Sequence, residues 1–215
     1  MTRPLLLGHR GARASRNIPE NTLESFELCL QHGCDGFEFD VERSADGQAV
    51  LCHDPVARGM VIAETPAAVL ALPLLGDVLR TFGGRAFLDI ELKVAGLEAE
   101  VIAFLREHSP QKGYVVSSFK PEVLTVLHEF DPTIPLGFIW DRRDELNRWR
   151  ELPVAWVIPQ CELADQTLIE QVQVSGKKIM VWTLNRQDRM RRFAEIGVDA
   201  IISDETEFAA QVLAG

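Results

Sequence analysis

Glu38 and Asp40 stand two residues apart, and Asp89, Glu91 and Lys93 repeat that spacing. In extended backbone such residues share one face, so Glu38 and Asp40 point one way while Phe37, Phe39 and Val41 point the other. The same alternation sets Asp89, Glu91 and Lys93 against Leu88, Ile90 and Leu92. Carboxylates aimed together into a narrow interior repel one another strongly unless positive charge lies between them. Arg10 and Lys93 are candidates to supply it, and a divalent cation does more. An all-oxygen ligand set favours a hard ion, Mg²⁺ or Ca²⁺, with Mn²⁺ also compatible. One acidic pair would be ordinary salt-bridge material; two same-face pairs at neighbouring strand ends favour a metal site. His9 and His53 follow extended segments and bracket the first pair in sequence, and imidazole suits proton transfer near neutral pH. His32, His108 and His128 fall at helix ends and read as surface residues.

These side chains need a scaffold. Short apolar runs alternate with helix-period stretches along the whole chain. The expected strands are 5–8, 36–41, 86–92, 113–117, 134–140, 154–159, 178–183 and 200–202. The expected helices are 21–32, 76–82, 97–108, 121–130, 142–151, 166–174, 186–196 and 205–213. Segment 48–52 reads as a short extended arm, and 56–73 as a brief Ala-, Val- and Leu-rich insertion holding a small buried helix. Gly33 suits the end of the first helix, Asn21 or Thr22 its cap, and Pro121 the first turn of another. Glu20 is read as part of that cap region, the alternative being a place near the site. Eight strand–helix units imply parallel strands with helical crossovers, and fit a closed (β/α)₈ barrel spanning 1–215 as a single domain. In that fold chemistry sits at the C-terminal strand ends. Those ends here carry His9–Arg10, Glu38–Asp40, Asp89–Lys93, Ser117–Ser118, Trp182–Asn185 and Ser203–Asp204. Asn185 and Gln160 fall at pocket positions on weaker grounds, and Trp140 is the tryptophan outside this set whose strand-end place singles it out.

The bulk properties narrow the classes of partner. A formal net charge of −10 without a basic patch argues against nucleic acid but permits an anionic substrate held by a local ion and a few cations. No stretch approaches the ~18 apolar residues of a membrane span, and Leu5–Leu7 is too short for a signal-peptide core. Stable membrane insertion is not expected. Cys29, Cys34, Cys52 and Cys161 form no CxxC pair and read as free thiols in a cytoplasmic protein.

Taken in order, Gly8-His9-Arg10-Gly11, Pro19-Glu20-Asn21-Thr22, Glu38-Phe39-Asp40-Val41, Asp46-Gly47 and His53-Asp54-Pro55 resemble the N-terminal signature of the glycerophosphodiester phosphodiesterase family. Glu91-Leu92-Lys93, Ser117-Ser118-Phe119, Val181-Trp182-Thr183, Gly197-Val198-Asp199 and Ile202-Ser203-Asp204 resemble its later landmarks. The resemblance implies a metal-dependent barrel hydrolase that releases an alcohol and glycerol 3-phosphate from a small-molecule diester. It implies Glu38, Asp40 and Glu91 as metal ligands, and His9 and His53 as general acid and base. Arg10 and Lys93 become phosphate-contacting cations and Trp182 a pocket-lining aromatic. Attack by the neighbouring glycerol hydroxyl through a cyclic phosphate, and direct attack by water, both stay open. The segment after Asp54-Pro55 departs from the family: it is shorter and lacks a threonine-and-arginine run, unless Arg58 stands in. That departure leaves three readings: the diesterase; a lysophospholipase D or phospholipase C-like activity on the same barrel; and a barrel that binds without turnover, disfavoured because each expected site residue is present.

Overall fold

The computed structural model describes residues 3–214, so the predicted domain limits at 1 and 215 lie outside the described residues. Eleven strands follow in chain order: β1 Leu5–His9, β2 Gly36–Arg43, β3 Ala49–Leu51, β4 Val56–Ala57, β5 Met60–Val61, β6 Phe87–Leu92, β7 Tyr114–Ser118, β8 Leu136–Trp140, β9 Trp156–Pro159, β10 Lys178–Val181 and β11 Ala200–Ser203. The helices are α1 Leu23–Gln31, α2 Ala67–Leu70, α3 Leu75–Phe82, α4 Glu98–Glu107, α5 Pro121–Phe130, α6 Gln166–Val174, α7 Gln187–Glu195 and α8 Thr206–Ala214. Eight parallel strands pair in the ring β1-β2-β6-β7-β8-β9-β10-β11, and β11 returns to β1 through Leu5↔Ala200 to Gly8↔Ser203. The chain is a closed (β/α)₈ barrel.

Strand alternation divides the apolar residues into two cores. Phe37, Phe39, Leu88, Ile90, Val116, Phe138, Val157 and Ile201 face the helices in the larger cluster. There Phe26 of α1 stacks on Phe37 at 4.1 Å between centroids, and Phe82 of α3 meets Phe37 edge-on at 5.2 Å. Leu7, Phe87, Val115, Ile139, Trp156, Ile158, Met180, Ala200 and Ile202 fill the barrel interior. Inward positions on the C-terminal halves of β2 and β6 are instead Glu38, Asp40, Asp89 and Glu91, all buried. The barrel is thus sealed by hydrocarbon below and lined with charge above, on one side.

The expected short insertion is a small unit of its own. β3 runs antiparallel to β2, then a β4–β5 hairpin, a 3₁₀ turn at Ile62–Glu64 and α2 follow. Val50, Ala57, Ile62 and Leu70 bury together there. The helix predicted over 142–151 is corrected: the segment holds two 3₁₀ turns, Arg143–Glu145 and Arg148–Arg150. It has no apolar stripe at helical spacing, burying only Trp149 of its side chains, and Pro153 disfavours helical backbone at Leu152. His32 and His108, expected at the surface, are half-buried, and His32 Nδ1 lies 2.8 Å from Thr206 Oγ1; His128 is exposed. Among the described residues no helix is long and apolar enough to cross a membrane.

Gly36 marks a tight approach between strands. A Cβ built there would lie 1.9 Å from the Phe87 carbonyl oxygen of β6, which is backbone and cannot swing aside. Gly36→Ala is therefore expected to destabilise the protein by roughly 2 kcal/mol or more. Chemical denaturation measures it, and an unchanged midpoint would show that β2 and β6 sit farther apart at that point.

Candidate active site

His9 ends β1, where barrel closure sets it beside the end of β11. Its Nδ1 lies 2.7 Å from Asp204 Oδ1, and its Nε2 lies 3.9 Å from Glu38 Oε2. Asp204 also accepts from Asn185 Nδ2 (2.7 Å) and Arg13 Nη1 (3.0 Å). Burial alone would raise the Asp204 carboxyl, but these hydrogen bonds from His9, Asn185 and Arg13 hold it far below the usual carboxylate range. A carboxylate fixed against Nδ1 leaves Nε2 as the nitrogen that faces the cavity and can exchange a proton.

Arg10 and Asn21 adopt left-handed backbone, at φ 53° and 56°. Such angles are costly for a residue with a side chain, more so for Arg than for Asn. At Arg10 the turn aims the backbone N–H at Glu38 Oε2 (3.0 Å) and sets Nε 3.2 Å from Asp40 Oδ2, while Nη1 donates to Glu20 Oε1 (2.7 Å). Asn21 donates from Nδ2 to Asp40 Oδ2 (2.9 Å) and accepts from the Asp40 N–H (3.2 Å). Thr22, not Asn21, caps α1, its hydroxyl accepting from Ser25 N. Glu20 joins Arg10 and Arg13 in ion pairs, so it stands behind Arg10 beside the site, the alternative to its reading as part of the cap.

Glu38, Asp40 and Glu91 each turn one oxygen to a common point, all within 4.8 Å of one another. Lys93 Nζ sits 2.6 Å from Glu91 Oε1 and 3.2 Å from Asp40 Oδ1. Glu38 Oε1 and Asp89 Oδ2 are buried without a hydrogen-bond partner, although Ser117 donates to Asp89 Oδ1 at 2.5 Å. Burial and repulsion from Asp40, Glu91 and Asp89 push Glu38 well above the carboxylate range. Burial raises Asp89 to about 7; burial and the Asp40 charge raise Glu91 to about 7. Asp40 goes down instead, because Lys93, Asn21 and Arg10 outweigh its burial. Oxygens on a single hard ion, bonded at about 2.0–2.6 Å, cannot stand much more than 5 Å apart. The spacing, the all-carboxylate donor set and the orphaned Glu38 oxygen therefore fit a divalent cation.

A cavity of about 330 Å³ opens over this cluster. His9, Arg10, Glu38, Asp89, Glu91 and Lys93 line one side, Phe119, Ile139, Ile158, Trp182 and Ile202 the other, and His53 and Asp141 also reach it. His53, about a third exposed, lies with Nδ1 2.8 Å from Asp54 Oδ1. Trp182 donates from Nε1 to the Ile158 carbonyl (3.1 Å) and meets Phe119 edge-on at 5.6 Å. Of the residues expected to act as acid, base, metal ligand or substrate contact, His9, His53, Arg10, Lys93, Trp182, Glu38 and Glu91 line one cavity, and Asp40 joins the carboxylate cluster beneath it. Trp140 does neither: it is buried on the helix side, stacked on Phe138. Gln160 does not line the cavity either, and Asn185 connects to it only through Asp204 and His9. Asn21 and Arg13 join the site without any such expectation from the sequence; two adjacent cap-type residues, of which one helix needs only one, are the signal available for Asn21.

A closed barrel whose mouth gathers carboxylates, two imidazoles and two cations defines a class, a metal-compatible hydrolase of anionic esters. The glycerophosphoryl diester phosphodiesterase family model matches residues 9–74 and 83–208, and the chain belongs to that family of phosphoric diester hydrolases. A glycerophosphodiester phosphodiesterase of Caldanaerobacter subterraneus is 27% identical, over 94% of this chain and 95% of its own length. A phosphodiesterase of Oleispira antarctica, solved in complex with the product sn-glycerol-3-phosphate, superposes with TM-score 0.86 at 26% identity, covering 99% of this chain and 98% of that one. A glycerophosphodiester phosphodiesterase of Thermotoga maritima shares the fold, with TM-score 0.85 at 22% identity over 99% of each chain.

A carboxyl raised by folding binds more protons folded than unfolded, so its contribution to stability is lost as pH rises from about 4 to above 7. Asp40 and Asp204 act in the opposite sense, below that window. Chelator-treated protein is therefore expected to lose thermal stability across pH 4–7. Mg²⁺, Ca²⁺ or Mn²⁺ should raise Tm more at pH 8 than at pH 5, and Glu38→Gln should shrink that rise. Equal cation shifts at both pH values would separate ion binding from these carboxylates.

Proposed function

We propose that the chain carries out its family's reaction, hydrolysis of glycerophosphodiesters to an alcohol and glycerol 3-phosphate, with His9 and His53 moving the protons. One observation carries this reading: the convergent Glu38, Asp40 and Glu91 oxygens lie below the same cavity that His9 and His53 enter. Those three carboxylates would hold the divalent ion, Mg²⁺ or Ca²⁺ with Mn²⁺ also compatible, and a bound ion supplies Lewis-acid polarisation of a phosphoryl oxygen. Arg10 and Lys93 hold the phosphoryl group and offset charge that builds on it in the transition state. The apolar wall with Trp182 excludes water around the ester.

The proton balance follows from having two imidazoles. One, neutral, takes the proton of the attacking hydroxyl; the other, protonated, gives its proton to the departing alkoxide. If the attacker is the neighbouring glycerol hydroxyl, a cyclic phosphate forms and the two histidines have exchanged states. Water then attacks, the roles reverse, and both return to where they began. Direct attack by water leaves them exchanged, to be reset from solvent. Asp204 keeps His9 in one orientation through either route.

A small-molecule diester rather than nucleic acid suits the net charge of −10, and the four free cysteines suit a reducing, cytoplasmic setting. A second reading, turnover of lysophospholipids, draws on the insertion beyond His53, where Val56, Val61 and Val69 are 48%, 40% and 60% exposed.

Glycerol 3-phosphate release from glycerophosphocholine, assayed with chelator and then with each cation restored, tests the main reading. His9→Ala and His53→Ala should each lower kcat by ~10²–10⁴-fold. Full activity in both variants would overturn the proton-transfer assignment, and preference for acylated diesters would favour the second reading.

A further inference from the structure

The cavity is chemically lopsided. Both of its cationic side chains, Arg10 and Lys93, directly follow β1 and β6, beside the carboxylate cluster. In the ring order β8 stands four strands from β1 and two from β6. The wall from β8 to β10, built by Ile139, Ile158 and Trp182, has no basic residue. It has one acidic residue, Asp141, which follows the last residue of β8. Among the described residues Asp141 enters no ion pair, and the adjacent Arg142 is committed to Asp144 at 2.8 Å. The carboxylate at this rim has no part in the ligand cluster and is free to meet charge on a bound molecule.

The substrate has two ends to accommodate. Its phosphoryl group is drawn to the Arg10 and Lys93 side, so one ester arm extends over the opposite wall. An arm that fits an apolar, aromatic surface edged by an unpaired carboxylate is hydrocarbon ending in positive charge. Trp182 is anchored through its Nε1 hydrogen bond to Ile158, so it offers a fixed ring against which an ammonium gains cation–π attraction. The overall charge of −10 acts in the same direction, favouring cationic and opposing anionic groups at the mouth.

We propose that Asp141 selects diesters whose departing alcohol bears an ammonium group, with Trp182 as the aromatic face of that subsite. The inference rests on the hydrolase reading above and assigns its headgroup class.

The test compares glycerophosphocholine with the diester of 3,3-dimethylbutanol, which keeps the shape of choline and lacks its charge. With the cation-supplied full chain, kcat/KM should favour the choline diester. Asp141→Asn should lower the ratio of the two kcat/KM values about fivefold, mainly through KM for the charged substrate. Asp141→Lys should lower it tenfold or more. A ratio unchanged by Asp141→Asn, or wild-type turnover of both diesters without preference, overturns this assignment and leaves the hydrolase intact. Wild-type silence on both overturns the hydrolase reading and this one with it.

Discussion

Four carboxylates inside the upper barrel are the constraint to which the rest of the site answers. Glu38 and Asp89 face each other across the β2–β6 pairing, and Asp40 and Glu91 do the same one layer higher. Buried together, they could not all be charged without large Coulombic cost. The structure meets this unevenly. The Asp40 carboxylate meets Lys93, Arg10 and the Asn21 Nδ2 donor, and stays ionised. Asp89 receives the Ser117 hydroxyl, while Glu38 keeps an oxygen with no partner. One fully satisfied carboxylate next to under-satisfied ones is a poor salt-bridge network and a good ligand set. The positive charge that a divalent ion brings is what the two protein cations leave wanting.

The same constraint accounts for the backbone at Arg10 and Asn21. Left-handed conformations in non-glycine residues persist only where surrounding contacts over-determine them. Here each one delivers a hydrogen bond to a carboxylate: the Arg10 N–H to Glu38, the Asn21 amide to Asp40. Local strain is exchanged for fixed orientation of the acidic oxygens, and no later reorganisation is needed when charge develops on a substrate.

Strand alternation made the fold and the acidic face legible in the sequence. Period two placed Glu38, Asp40, Asp89 and Glu91 inward before any coordinates, because their outward neighbours Phe37, Phe39, Leu88 and Ile90 are unambiguous. What stayed hidden depended on contacts between distant segments. The Asp204–His9 pair spans 195 positions and exists only because β11 closes on β1. Asn21 looked like a cap because caps and left-handed turns draw on the same residue types. The 142–151 segment falls where the rhythm calls for a helix, yet its composition, mostly charged and followed by Pro153, holds too little apolar surface to dock one.

The residues proposed for the phosphoryl chemistry and the residue proposed for headgroup choice come from different places in this chain. The two histidines, the carboxylates and both cations lie on or directly after β1, β2 and β6 and on the arm after β3. The insertion after Asp54-Pro55 and the irregular turns after β8 lie in rim loops outside those strands. Those loops can vary without moving an oxygen of the carboxylate cluster, because the strands beneath are tied to both neighbours by continuous parallel pairing. A closed barrel therefore lets substrate range drift while the phosphoryl chemistry stays in place.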